Sequence, residues 1–81
     1  MEKITAHCFV RITPQKVEDV AEGIQKIPGI KYFSITAGDY DGIMEIEVDH
    51  MSELYEIYKK IERVEGIIAT NTHIVMKRFE F

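Results

Sequence analysis

The 81-residue chain lacks the features that mark several large classes of protein. Its one cysteine, Cys8, excludes an intramolecular disulfide framework. No apolar run approaches the roughly 20 residues that a membrane-spanning helix needs, and no signal-peptide pattern precedes the first strand-like segment. We therefore expect a cytoplasmic protein with no membrane partner.

Metal-binding and catalytic motifs are also missing. The chain contains no Cys-x-x-Cys or His-x-x-x-His spacing and no glycine-rich phosphate loop that opens a helix. Cys8 lies on the apolar side of a predicted strand, where burial disfavours the reactive thiolate. His7 and His73 can approach each other if their strands pair, but ordinary surface or interface histidines are the simpler interpretation. We predict no metal, no cofactor and no catalytic residue, and hence no enzyme.

Basic side chains are few and scattered. Ten Lys and Arg stand against fourteen Asp and Glu, so the formal net charge is −4. The densest basic group is Lys59, Lys60 and Arg63, on one predicted helix. Proteins that bind nucleic acid usually gather basic charge on one face. We therefore expect no direct contact with DNA or RNA.

What the sequence does contain is an internal repeat with a constant offset of 37 residues. The matching sets are Val17, Val20, Ile24, Ile27, Gly29 and Ile30 in the first half, and Leu54, Ile57, Ile61, Val64, Gly66 and Ile67 in the second. Each half reads strand, helix, strand. Two successive βαβ units are typical of a ferredoxin-like α+β sandwich. We predict one domain over residues 1–81, with a four-stranded antiparallel sheet and two helices on one face.

Alternation and capping residues give approximate element boundaries. Strands are predicted over residues 3–12, 30–37, 43–48 and 67–77. The first helix is predicted to start after Thr13 as N-cap, with Pro14 at the first helical position. The second helix starts near residue 49 or 52. In the last strand we expect the core-facing side to hold Ile68, Ile74 and Met76, with Thr70 and Thr72 on the same side.

The sheet face away from the helices is left uncovered by this arrangement, and no remaining segment can cover it. It carries Thr5, His7, Phe9, Arg11, Glu45 and Glu47. Phe9 among opposite charges is typical of a surface that pairs with a second copy, where Arg11 meets Glu45 or Glu47 across a two-fold axis. A wetted antiparallel face is the alternative. Because small domains often gain stability by oligomerising, we favour a dimer interface, with the residues His7, Phe9, Arg11, Glu45 and Glu47.

The turn between the second and third predicted strands is Gly38-Asp39-Tyr40-Asp41-Gly42, and it carries more carboxylate side chains than a turn needs. Glycine supplies positive φ and Asp bonds to nearby backbone, so a well-formed hairpin turn is one interpretation. In the other, Asp39 or Asp41 pairs with an ammonium group while glycine N–H groups hold a carboxylate. A carboxylate beside free N–H groups is complementary to the ammonium and carboxylate groups of a free α-amino acid. Thr70 and Thr72 offer hydroxyls as further contacts.

The turn has a counterpart in a known family. Thr36-Ala37-Gly38-Asp39-Tyr40-Asp41, followed by a strand of alternating apolar and acidic residues, resembles the Thr-Gly-Asp-Tyr-Asp turn of the Lrp/AsnC family of amino-acid-responsive regulators. The resemblance is to their effector domain, called RAM (regulation of amino acid metabolism). The segments 27–30, 64–67 and 70–76 fit the same pattern. Ala37 stands where the family often has Thr, and Gly42 where it has a bulky aliphatic residue.

The resemblance implies a stand-alone RAM domain that lacks the family's helix-turn-helix. It implies dimers packed through the open sheet faces, as in a dimeric α+β barrel, and assembly of dimers into a ring such as an octamer or decamer. An amino-acid effector would bind near the acidic turn, where dimers meet. The implied ligand-binding residues are Gly38, Asp39, Tyr40, Asp41, Thr70 and Thr72.

The function implied is an amino-acid-sensing oligomerisation module that regulates amino-acid metabolism or transcription by co-assembly with full-length, DNA-binding Lrp/AsnC relatives. Two alternatives stand beside it. One is a small ferredoxin-like dimeric enzyme of the monooxygenase type. The other is a purely structural oligomerisation domain.

Overall fold

The computed structural model describes residues 2–81. Its elements are β1 (Ile4–Ile12), α1 (Val17–Gln25), β2 (Ile30–Ile35), β3 (Gly42–Val48), α2 (Met51–Glu62) and β4 (Ile67–Ile74). The strands form one antiparallel sheet in the order β2-β3-β1-β4. This order confirms the predicted ferredoxin-like α+β fold. Within residues 2–81, neither helix has the length and apolar character that crossing a membrane requires.

The hydrophobic core lies between the sheet and the two helices. Strict alternation along the two central strands, β1 and β3, sends every second side chain into it. The buried residues are Ala6, Cys8, Val10, Ile12, Val20, Ile24, Ile27, Met44, Ile46, Val48, Leu54, Ile57 and Ile61. The residues between them on β1 and β3 point to the opposite, uncovered face. Alternation in the sequence therefore placed both faces of these two strands correctly.

The internal repeat is visible in the packing as well as in the sequence. Gly29 and Gly66 follow the two helices, and both have positive φ, at 95° and 105°. A Cβ atom on Gly29 would stand 2.6 Å from Cδ1 of Ile57 in α2, and one on Gly66 would stand 2.8 Å from Cγ2 of Val20 in α1. Val20 and Ile57 are themselves related by the 37-residue offset. The glycine of each half therefore packs against the helix of the other half.

The start of α1 differs from the prediction. Thr13 does not cap the helix, which begins at Val17 with Lys16 as the N-cap. Gln15 has φ of 72°, a left-handed conformation that interrupts any helix from Pro14 onward. The N–H of Thr13 donates to the carbonyl of Gly66 at 2.8 Å. The chain therefore continues beside the sheet through Thr13 before it turns into the helix.

The direction of the β4 side chains follows from its register with β1, because residues opposite one another in an antiparallel pair point to the same face. The pairs are Thr70 with Val10, Thr72 with Cys8, and Ile74 with Ala6. Since those β1 residues are buried under the helices, Thr70 and Thr72 lie on the helix-covered face, as predicted.

The prediction that three apolar residues in and after β4 face the core is right in direction for Ile74, which pairs with buried Ala6, but none of the three is buried. Ile68, Ile74 and Met76 are 66%, 46% and 96% exposed. A register shift where β4 meets the end of β1 places Ile67 opposite Ile12, so Ile67 rather than Ile68 packs against the core. The strand β4 ends at Ile74, so Met76 lies beyond the end of the strand.

Candidate functional site

The uncovered face of the sheet holds a chain of polar contacts around Glu45. His7 Nε2 lies 3.3 Å from Glu45 Oε1, and Nη2 of Arg78 lies 3.2 Å from the same oxygen. Arg78 belongs to the segment after β4, so one side chain from outside the sheet contacts this face. The second acid of the face, Glu47, lies 4.0 Å from Nζ of Lys31. Both carboxylates on this face therefore have a cationic partner within the chain, Arg78 for Glu45 and Lys31 for Glu47.

The acidic turn lies at one end of this face and is hydrogen-bonded to the neighbouring strand. The amide of Thr36 donates to the carbonyl of Asp41, and its hydroxyl donates to the carbonyl of Tyr40, both at 2.9 Å. The amide of Asp41 donates to the carbonyl of Val10 at 2.9 Å. Oδ2 of Asp41 accepts from the amide of Ile12 at 2.7 Å. The two bonds from Thr36 close the hairpin, and the two that involve Val10 and Ile12 hold the turn against the end of β1.

The two carboxylates of the turn differ in what they contact. Both are exposed, but Asp41 accepts a backbone hydrogen bond, whereas Asp39 takes part in none of the side-chain hydrogen bonds or ion pairs within residues 2–81. The neighbouring Gly38 is exposed, and a Cβ atom built on it would meet no atom within 4 Å. Asp39 and the backbone beside it are thus accessible to a small molecule.

The ring of Tyr40 folds from the turn onto the open face. Its centroid lies 5.7 Å from that of Phe9, and its hydroxyl accepts a hydrogen bond from Nδ2 of Asn71 at 3.1 Å. Oδ1 of Asn71 in turn lies 3.0 Å from Nε2 of His73. The guanidinium carbon of Arg11 lies over the Tyr40 ring, 5.2 Å from its centroid. Tyr40 therefore connects the turn to both β1 and β4.

The structure does not bring Thr70 and Thr72 to the turn within one chain. Both lie on the helix-covered side of β4, where Oγ1 of Thr72 is buried without a hydrogen-bond partner in the described residues. The β4 residue that meets the turn is Asn71, which the sequence reasoning missed. Alternation carried the necessary signal, because a residue between two helix-facing threonines must point to the open face.

The remaining reactive groups lie apart from the turn. Within residues 2–81 no group of three or more His, Cys, Asp or Glu side chains is placed to hold a metal ion. His7 and His73 do face each other across β1 and β4, as the strand pairing allowed. Cys8 is fully buried, and this burial raises the pKa of its thiol. It is a core residue, as predicted.

Comparison with known proteins assigns this fold and turn to a family. A family model described as the Lrp/AsnC ligand binding domain matches residues 5–80. The chain belongs to the Lrp/AsnC ligand-binding domain family, as its turn and repeat predicted. It is similar to the HTH-type transcriptional regulator FL11 of Pyrococcus furiosus, at 31% identity over 91% of this chain and 49% of that protein. It is also similar to the HTH-type transcriptional regulator LysM of Saccharolobus solfataricus, at 28% identity over 93% of this chain and 54% of that protein. The chain thus spans about half the length of these curated relatives.

Solved structures agree with this assignment. The crystal structure of FFRP-DM1 superposes with a TM-score of 0.82 at 28% identity, covering 90% of this chain and 99% of that one. The transcriptional regulator NMB0573 of Neisseria meningitidis, solved as a complex with L-Met, superposes with a TM-score of 0.87 at 18% identity. That match covers 96% of this chain and 53% of the regulator and shows the shared fold.

Proposed function

We propose that this domain binds a free α-amino acid at its acidic turn and that binding changes how copies of the chain assemble. The observation that carries the proposal is the division between the two turn carboxylates. Asp41 is bonded to the backbone of β1, while Asp39 is exposed beside an open glycine. An anchored turn with one free carboxylate is a preorganised partner for an ammonium group.

The chemistry of the turn matches both ends of a zwitterion. A charge-assisted hydrogen bond from the ligand's ammonium to Asp39 is stronger than a neutral one. The backbone N–H groups of Gly38 and Asp39 are available to the ligand's carboxylate, because they make none of the backbone hydrogen bonds within residues 2–81. A small amino acid makes few contacts, so we expect a Kd in the micromolar to millimolar range, or about −4 to −8 kcal/mol.

The site is completed by assembly. The dimer we propose forms through the open face, with His7, Phe9, Arg11, Glu45 and Glu47 at its interface. Thr70 and Thr72 face away from the turn of their own chain, so they join the ligand site only from a neighbouring copy; Thr70 is the better candidate, because Oγ1 of Thr72 is buried. Such an arrangement requires contacts between dimers, and a closed ring such as an octamer or decamer supplies them. Ligand bound between dimers then stabilises the assembled state.

The biological role we propose is regulation of amino-acid metabolism or transcription. The similarity to regulators of the same family supports it, and so does the L-Met complex of the structurally similar NMB0573. With a net charge of −4, this domain would act through co-assembly with DNA-binding relatives and not by contacting DNA itself. Its role would be regulatory rather than enzymatic, in the cytoplasm.

Titration calorimetry with the twenty common L-amino acids tests the proposal. We expect heat of binding from one or a few of them. The substitution Asp39→Asn should weaken binding by about 1.5–3 kcal/mol, the value of a hydrogen bond to a charged group. Glu65→Gln is the matched control, because Glu65 is an exposed acid outside the turn. An intact oligomer that binds no amino acid at millimolar concentration would contradict the proposal. It would favour the alternative of a purely structural oligomerisation domain.

A further inference from the structure

We propose that Arg11 binds the carboxylate of the amino-acid ligand, so that the ligand is held between Arg11 and Asp39. This inference rests on the proposed function and adds a residue to the site. Arg11 belongs to the proposed dimer interface, and the structure also places its guanidinium over the ring of Tyr40, in the middle of the acidic turn.

The hydrogen-bond donors of Arg11 are free. Its guanidinium carbon lies 5.2 Å from the centroid of the Tyr40 ring, and its N–H groups take part in none of the side-chain hydrogen bonds within residues 2–81. Those donors form the planar fork that matches a carboxylate in a bidentate pair. No carboxylate within residues 2–81 lies within 4.0 Å of the guanidinium nitrogens of Arg11. Arg11 is therefore a cation in contact with Tyr40 whose N–H donors are available to a carboxylate.

The ring beneath Arg11 is itself held in place. Tyr40 receives a hydrogen bond from Asn71 and packs against Phe9, and the adjoining Asp41 is bonded to β1. Asp39, the free carboxylate, directly precedes Tyr40 in the chain. A cation over one fixed aromatic ring and an anion one residue along the chain thus have no ion-pair partner within residues 2–81 and do not pair with each other. That arrangement complements a molecule that carries both charges, such as an α-amino acid.

An alternative partner for Arg11 is an acid of a second copy across the open face. Both acids of that face already have partners in their own chain. Glu45 contacts His7 and Arg78, and Glu47 lies near Lys31. Their charge is therefore already partly neutralised within their own chain, so a guanidinium from the second copy gains less from them than from the unpaired carboxylate of a free amino acid.

Calorimetry on two ligands and two variants tests the inference. The ligands are the common L-amino acid that the wild-type protein binds most tightly and its carboxamide derivative, which lacks the negative charge. The variants are Arg11→Met, which removes the fork, and Arg11→Lys, which keeps the charge. We expect Arg11→Met to weaken binding of the amino acid about tenfold or more and to leave the affinity for the carboxamide unchanged. Arg11→Lys should lie between wild type and Arg11→Met.

Circular dichroism checks that each variant folds, and light scattering checks its oligomer size. If Arg11→Met does not fold, the comparison is made with Arg11→Lys alone. Equal losses for both ligands would mean that Arg11 only supports Tyr40, and would overturn the inference. An unchanged affinity for the amino acid, with or without a smaller oligomer, would also overturn it. If Asp39→Asn weakens binding while the Arg11 variants do not, this inference alone fails. If the wild-type protein binds no amino acid, the proposed function fails with it.

Discussion

The carboxylate of Asp41 accepts a hydrogen bond from the backbone amide of Ile12, with 2.7 Å between Oδ2 and N. The ladder between β1 and β3 ends two residues earlier, at the pair of Val10 and Gly42. Beyond that pair, β3 offers no carbonyl to the amide of Ile12. The side chain of Asp41 replaces it, so one of the two acids in the turn belongs to the fold.

Replacing Asp41 should therefore lower stability, while replacing Asp39 should not. We expect Asp41→Ala to reduce the free energy of unfolding by about 1–2 kcal/mol, because the amide of Ile12 loses its acceptor. Asp41→Asn should cost less, since the amide oxygen of Asn still accepts. Urea unfolding followed by circular dichroism measures both. Asp39→Ala is the control and should stay within about 0.5 kcal/mol of wild type; an equal loss there would contradict the assignment.

The open face should be the dimer interface. Phe9→Asp would place a charge against its symmetry mate in a desolvated surface, at a cost of several kcal/mol. We expect light scattering to show monomers or a loss of fold. Tyr55→Asp is a matched control, because Tyr55 is a 61% exposed aromatic on α2, away from this face. If Phe9→Asp keeps the wild-type oligomer, the interface lies elsewhere.

Gly66 should tolerate no side chain. Its φ of 105° is unfavourable for alanine, and the new Cβ would stand 2.8 Å from Val20 in α1. We expect Gly66→Ala to reduce the free energy of unfolding by about 2–4 kcal/mol. Measured in a Val20→Ala background, the loss should be smaller, because the clash is relieved while the backbone strain remains. The same loss in both backgrounds would show that Val20 takes no part.

Cys8 should react with thiol reagents only after unfolding. Burial raises the pKa of its thiol, so at pH 8 the folded protein holds less of the reactive thiolate than the unfolded chain does. The folded state therefore loses stability as the pH rises above the pKa of the unfolded thiol. We expect slow labelling by Ellman's reagent in buffer and fast labelling in guanidinium. In a Cys8→Ala background, Ser34→Cys supplies an exposed thiol that should label rapidly in both. Equally rapid native labelling of Cys8 would contradict its burial.

Sequence patterns predicted much of this fold because the patterns are local. Alternation assigned both faces of β1, and the repeated glycine marked the end of each helix. Errors arose where a non-local bond overrode a local signal. Thr13 has the chemistry of an N-cap, but its amide bond to Gly66 keeps it beside the sheet, and the left-handed Gln15 delays the helix to Val17. Ile68 has the right alternation for burial, but the register shift against β1 exposes it.

The order of the elements, the two-fold repeat and the acidic turn were determined by the sequence itself, since each depends on residues that are neighbours along the chain. Only the tertiary structure decided which acid of the turn is free and what surrounds it. Asn71 lies 31 residues from Tyr40 in sequence, and Ile12 lies 29 residues from Asp41. Contacts of this kind depend on strand register and on the direction of individual side chains, and no local pattern encodes either one.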